Sequence, residues 1–295
     1  MILKTVNLRK MFGSHQVLKG IDLEIETGDF YGLVGRNGAG KTTLINALAG
    51  INRPTSGEII ISDDFSKRFW QRKIGVMSDT EGLYKDKNAY GFLKFMASLK
   101  EVKLSRADID NLLDSVSLDV PKTLAIKNYS FGMKKKLGLA QALIGDPEFI
   151  ILDEPTSGVD PESVIRIHHL LACLNKKGKT ILIASHSLDE IEKLCNKVSI
   201  LKDGIFSLTG DTEIILRDSA ETQKMTVCFG GVSQTVLANA FSNTQNDVTF
   251  LKTGVVAISY KRDLTNCLKI LSSIENINIY ELGVEKKSLE QVFME

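Results

Sequence analysis

The sequence predicts an α/β fold: a parallel sheet covered by helices on both faces, with an antiparallel β portion at its start, a helical insertion in its middle and a small α+β appendage behind it. Three observations predict this. Short apolar runs of strand length alternate with segments of helical period, the pattern of βαβ units. One of those runs passes directly into a glycine-rich loop that opens a helix. After Asp203-Gly204 the composition shifts and turn-rich segments appear, so a second unit is expected to begin near Asp211, dividing the chain into 1–210 and 211–295.

Taken in order, residues 3–25 alternate loosely between apolar and polar, broken at Phe12-Gly13-Ser14, and read as two strands joined by a turn. Phe30-Tyr31-Gly32-Leu33-Val34 is a short buried strand, and 42–49 is the helix after it, closed by Gly50. Pro54-Thr55-Ser56-Gly57 reads as a turn before a strand over 58–62, and 73–77 reads as another strand. From about 80 to 145 lies a helical subdomain. One apolar face in it carries Phe92, Phe95, Met96 and Leu99, and another carries Ile109, Leu112, Leu113 and Val116. Strands return at Phe149-Ile150-Ile151-Leu152 and at 180–184, separated by a helix carrying Ile165, Leu170 and Leu171. In the appendage, 224–229, 248–258 and 277–282 read as strands, 264–274 as an amphipathic helix and 288–294 as a last helical turn or two.

Composition narrows the function. With 43% hydrophobic and 25% charged residues, 23 Gly and 5 Pro, the chain is an ordinary globular protein, neither collagen-like nor disordered. Lys and Arg number 37 against 36 Asp and Glu, so no net field draws it to nucleic acid or an anionic membrane. No run approaches the roughly 18 apolar residues of a spanning helix, and the first residues lack a signal-peptide layout, so a cytosolic chain is expected. Cys173, Cys195, Cys228 and Cys267 are too dispersed for a CxxC pair and read as reduced thiols.

Gly35-Arg36-Asn37-Gly38-Ala39-Gly40-Lys41-Thr42 fits G-x-x-x-x-G-K-[ST] between strand and helix, with Thr43 continuing the helix. Glycines at this spacing let backbone N–H groups curve around phosphate oxygens while the helix N-terminus adds its positive end. Lys41 reaches the β- and γ-phosphates, and Thr42 can ligate Mg²⁺. Such a loop serves kinases, GTPases and motor ATPases alike. Asp153, ending the run Ile150-Ile151-Leu152, is placed to hold Mg²⁺ through water, and Glu154 to polarise the water that attacks the γ-phosphate.

With these residues the chain resembles the ATP-binding subunits of ABC transporters, which are P-loop NTPases. It also carries Tyr129-Ser130-Phe131-Gly132-Met133 at the family's signature, Ser157-Gly158-Val159-Asp160 after the strand carboxylates, and His186 past the 180–184 strand. The motifs stand in the family's order and cover about residues 3–210. The resemblance implies a dimer, of two identical chains or of paired ATPase subunits, with two ATP molecules between phosphate loop and signature. Ser130 and Gly132 then meet the γ-phosphate of the partner's nucleotide, His186 meets it from its own side, Asp160 links the two sites, and Phe12 stacks on adenine.

Three departures stand out. Tyr129 and Phe131 replace leucine and glycine, Met133 replaces glutamine, and Asp79 stands where the family's glutamine approaches Mg²⁺. With the segment Asp79-Thr80-Glu81-Gly82-Leu83-Tyr84 and the ending Ser288-Leu289-Glu290-Gln291-Val292-Phe293, they resemble the branch serving two-component multidrug or peptide exporters of the ABC-2 type. The resemblance implies a separate polytopic membrane permease, received at Leu83, Tyr84, Tyr90 and Phe92, and a place on the inner face of the cell membrane. The rival reading is a soluble ATPase of the same class acting on nucleic acid or ribosomes. Such proteins usually carry two motif sets or a long coiled-coil insertion, both absent here, and the balanced charge predicts no nucleic-acid partner. His168-His169 is not expected to bind zinc, and Lys134-Lys135-Lys136 reads as a solvated face that also draws phosphate.

Overall fold

A computed structural model describes residues 1–62, 72–78, 86–218, 223–242, 244, 246–260, 264–285 and 288–294. The chain divides into two compact units, Met1–Thr212 and Glu213–Glu295. The edge lies two residues beyond the expected 210, because the last strand of the first unit runs through Asp211 and Thr212 still donates its N–H to the Asn196 carbonyl.

The first unit holds two sheets. Strands β1 (Leu3–Phe12), β2 (His15–Ile25) and β4 (Ser56–Ile61) pair antiparallel in the order β2-β1-β4. Ser56 and Gly57, expected in a turn, are the first residues of β4. The second sheet orders β5 (Ile74–Met77), β6 (Phe149–Asp153), β7 (Thr180–Ser185), β3 (Phe30–Val34), β8 (Lys197–Lys202) and β9 (Ile205–Asp211). All its pairings are parallel except β8 with β9. Strands β3, β6 and β7 are buried at every residue, which is why they read as unbroken apolar runs. The helix Lys41–Leu48 places Leu44, Ile45 and Leu48 in one core with Leu3, Leu18 and Ile21 of the first sheet and with Leu33, Ile151 and Leu182 of the second. That core holds the helix N-terminus at the carboxyl ends of the parallel strands.

Helices Ala89–Leu99, Arg106–Ser115 and Phe131–Ala142 form the insertion. Ile109, Leu113 and Val116 are buried as their spacing predicts, but Leu99 is exposed at the end of its helix and Leu93 and Ala97 take its place beside Phe92. In the helix Pro161–Lys176 the buried face is Ser163, Ile167 and Leu171, and Ile165 points to solvent.

In the second unit, β10 (Gln223–Gly230), β11 (Asp247–Lys252), β12 (Val255–Tyr260) and β13 (Asn278–Glu285) form an antiparallel sheet ordered β11-β12-β10-β13. The 248–258 run is two strands joined at Thr253-Gly254. The sequence reading passed over the helix Gln234–Phe241, whose Leu237 and Phe241 join Cys267 and Leu271 of Leu264–Ser273 over Met225, Val227, Val256 and Ile258. Ser233 caps it by accepting from the Val236 N–H.

Candidate functional site

The glycine-rich loop bends from β3 into the helix Lys41–Leu48, whose N-cap Gly40 has φ 108°, a left-handed conformation that glycine adopts without strain. The loop and the strand ends beside it line a cleft of about 420 Å³ that includes Phe12, Arg36, Asn37, Gly38, Gly40, Lys41, Thr42, Thr43, Asp153 and Glu154. Phe12, half exposed, stands at its lip with the Lys10 Nζ 5.0 Å from the ring centre. Ala39 donates its N–H to the Arg36 carbonyl within the loop. Lys41 is buried, donates to the Gly35 carbonyl at 2.6 Å and lies 3.3 Å from Glu154 Oε1.

Thr42 donates its hydroxyl to Asp153 Oδ2 at 2.6 Å. The other oxygen, Asp153 Oδ1, is buried without a hydrogen-bond partner. Burial pushes the Asp153 carboxyl up and the Thr42 hydroxyl opposes it, with Glu154 adding to the rise and Lys135 and Lys41 countering it. A spare buried carboxylate oxygen beside a hydroxyl is a hard oxygen donor set, and it fits Mg²⁺. Asp79 lies outside the described residues, as do Leu83 and Tyr84.

Glu154 sits in a left-handed backbone, φ 50°, just beyond β6, where its N–H donates to the Ala184 carbonyl at 2.9 Å. Such a conformation costs about 1–3 kcal/mol and persists where surrounding contacts impose it. It turns the side chain between two cations or donors: Oε1 to Lys41, and Oε2 to His186 Nδ1 at 2.7 Å. His186 is itself exposed.

Ser130, Gly132 and Asp160 do not line this cleft. Ser130 is the N-cap of Phe131–Ala142 and accepts from the Met133 N–H, while Asp160 caps Pro161–Lys176 by accepting from the Ser163 N–H. The Asp160 carboxyl is held below its usual range, chiefly by the Ser163 N–H and hydroxyl. Gly132 and Phe131 pack on Gly158; a Cβ at Gly158 would meet the Phe131 ring, so the bulky signature residue rests on a position only glycine can vacate. Tyr129 is buried. Phe92, expected at a docking face, is core, and Tyr90 bonds Asp110.

Two of the three lysines, Lys135 and Lys136, are not part of a solvated face. Lys135 is buried, its Nζ 3.5 Å from the Asp153 carbonyl and 5.5 Å from the Phe131 ring, and Lys136 pairs with Asp160 at 3.6 Å. The two histidines also acquire partners. His169 Nδ1 lies 3.7 Å from the Cys173 Sγ four residues on, although no group of three metal-ligating side chains exists among the described residues. His168 reaches Glu190, a residue the sequence reading overlooked. Glu190 Oε1 takes His168 Nε2 and the Thr156 hydroxyl, each at 2.8 Å, and Oε2 takes the Ser185 hydroxyl at 2.6 Å. Burial would raise this carboxyl, yet the three donors hold it below the ordinary range. A buried acid at 190 carries no signature in the sequence, because its partners are 5 to 34 positions away.

Comparison with known proteins follows the same lines. The model of the ABC transporter family matches residues 18–157. An uncharacterized ABC transporter ATP-binding protein of Nostoc sp. is 40% identical over 204 residues, 68% of this chain, and the match spans 61% of that protein's length. The linearmycin resistance ATP-binding protein LnrL of Bacillus subtilis is 30% identical over 310 residues, covering 99% of this chain and 97% of its own. A solved dimer of the ATP-binding cassette MJ0796, bound to ADP and Pi, has a TM-score of 0.65 at 25% identity, over 72% of this chain and 99% of that one.

Proposed function

The chain belongs to the ABC transporter ATP-binding family, and we propose that it is the ATP-hydrolysing subunit of a two-component exporter, working as a dimer around two ATP molecules. The observation that carries this is the convergence of Lys41, Thr42, Asp153 and Glu154 on one cleft, with His186 in contact with Glu154, while Ser130 and Gly132 stand apart from it. A cleft lacking its signature supports a site completed by a second chain. The solved MJ0796 cassette is dimeric, and LnrL, which parallels this chain from end to end, is named for resistance to linearmycin. The first supports a dimer and the second an assembly that expels its cargo.

In this reading the loop N–H groups and Lys41 hold the β- and γ-phosphates, and Phe12 stacks on adenine. Thr42 and Asp153 would hold Mg²⁺, which would supply charge neutralisation on the phosphates. Glu154 accepts the proton of the attacking water, and His186, in contact with Glu154 Oε2, orients that carboxylate and meets the γ-phosphate. Ser130 and Gly132 act on the partner's nucleotide and Asp160 links the two halves. ATP binding closes the pair and hydrolysis reopens it. Among the described residues no helix is long and apolar enough to cross a membrane, which accords with a separate permease that holds this chain against the inner face of the membrane.

Phosphate release and dimerisation test the proposal together. The wild-type chain is expected to release phosphate from MgATP with no acceptor present, and Glu154→Gln to run as an ATP-dependent dimer on size exclusion. A Glu154→Gln chain that turns over like wild type removes the assigned base, and one that stays monomeric at saturating ATP removes the sandwich.

A further inference from the structure

Glu190 holds together the two segments that carry the reacting groups. Its carboxylate is 4% exposed and accepts from three different elements: Thr156 in the loop after β6, Ser185 at the last residue of β7, and His168 on the helix Pro161–Lys176. Thr156 is two residues beyond Glu154, and Ser185 is the residue before His186. Ser185 Oγ further accepts from the Ser187 N–H at 3.1 Å, so the turn that carries His186 closes on the same hub.

The helix bearing Glu190, Leu188–Leu194, is itself pinned. Ile191 is fully buried against Gly32 in the middle of β3, and a Cβ at Gly32 would collide with the Ile191 side chain and come within 3.2 Å of Cys195 Sγ. β3 leads into the phosphate loop. The carboxylate is thus referenced to the strand that sets Lys41, and it passes that reference to the loops that set Glu154 and His186. The backbone bond from Glu154 N–H to the Ala184 carbonyl closes the ring on the other side.

We propose that Glu190 is a positioning residue for hydrolysis: through Thr156 and Ser185 it sets the spacing of the Glu154–His186 pair, and His168 completes its hydrogen bonding. This deepens the hydrolysis reading above and rests on it. The physical reason is geometric. Glu154 stands in a strained left-handed conformation, and its neighbour His186 is exposed, so neither residue fixes the other by packing. A buried ionised carboxylate with three short donors is rigid, because any shift of one donor leaves charge unpaired in a low-dielectric site.

The test uses the full-length chain. Steady-state hydrolysis and MgATP binding are measured for Glu190→Gln, Thr156→Val and Ser185→Ala, and for Glu190→Gln combined with Glu154→Gln. Glu190→Gln is expected to lower kcat by about tenfold or more while KM for ATP stays within about twofold, since the phosphate loop is untouched. Thr156→Val and Ser185→Ala, each deleting one donor, are expected to lower kcat by roughly three- to tenfold. The double variant, read in single-turnover experiments, should be no slower than Glu154→Gln alone, because Glu190 acts through that residue. A kcat for Glu190→Gln within about twofold of wild type, or independent multiplicative losses in the double variant, overturns the proposal. So does a parallel loss of binding, turnover and thermal stability in all three single variants, which marks a general brace. If Glu190→Gln does not fold, the Thr156 and Ser185 variants decide alone. A wild type that releases no phosphate strikes the hydrolysis reading and this one with it; an active wild type indifferent to Glu190 strikes this one only.

Discussion

The two units of the chain bury different things. Among the described residues, every buried polar or charged side chain lies in Met1–Thr212: Lys41, Lys135, Asp153, Ser185 and Glu190 among them. The buried side chains of Glu213–Glu295 are apolar apart from the tyrosine Tyr260 and the thiol of Cys267. Burying an unpaired charge costs far more than burying a methyl group gains, so a fold carries such groups only where they are paired. In the first unit the buried charges have partners, Asp153 through one oxygen only, and the pairs gather at the carboxyl ends of β6 and β7: Thr42 with Asp153, Lys41 with Glu154, Glu190 with its three donors. The second unit has ordinary cross-strand packing capped by two helices. The contrast teaches that polar burial, rather than size or sheet order, marks the unit that carries the proposed site.

The largest test of the contrast is Glu154→Gln, expected to lower hydrolysis by about 10²- to 10⁴-fold without lowering the unfolding temperature, as measured by phosphate release and calorimetry. A large loss of stability would mean that the pair with Lys41 serves the fold first. Next is Leu271→Ala, which empties part of the apolar core of the second unit. It should cost about 2–5 kcal/mol in denaturant unfolding of that unit and leave MgATP binding unchanged. Altered nucleotide affinity would blur the division between the units.

A third, smaller effect comes from Lys100, whose amine donates to the Ile74 and Ile144 carbonyls and is pushed down to about 8 by burial. Between about pH 8 and its ordinary value near 10.4 the folded lysine has lost its proton while the unfolded one keeps it. Stability therefore rises with pH across that window, and below it the cost of the buried charge is fully present. Unfolding free energies of wild type and Lys100→Met from denaturant titration should diverge in favour of wild type by on the order of 1–2 kcal/mol between pH 7.5 and 10. Equal slopes would show that the amine is solvated. The smallest effect expected is Ser105→Ala, which removes a capping box with Asp108 and should cost about 0.5–1 kcal/mol by thermal unfolding, with hydrolysis unaffected.

Much of the first unit was legible because its signals are local. The phosphate loop, the strand-end carboxylates Asp153 and Glu154, and the order of strands and helices each occupy a few consecutive residues. Boundaries moved where pairing decided them: β4 starts at Ser56, and β9 carries the unit past 210. Faces moved at Leu99, where the helix end meets solvent, and at Ile165, which lies off the buried Ser163, Ile167 and Leu171 stripe of its helix. Lys135 looked like one of three surface lysines, and nothing nearby in sequence says that its side chain runs under Phe131 toward Asp153.

The sequence by itself determined the side chains on offer: a glycine-rich loop opening a helix, a hydroxyl and strand-end carboxylates, a histidine beyond the next strand, and a second unit without a comparable motif. Those depend on residue type and short spacing, which a linear chain displays. Tertiary structure alone decided how they are aimed. The left-handed turn at Glu154, its contact with His186 across 32 positions and the carboxylate of Glu190 binding Thr156, Ser185 and His168 arise when parallel strands far apart in sequence end side by side. Hydrogen bonds between such ends act over about 3 Å, and only folding brings their donors and acceptors within that distance.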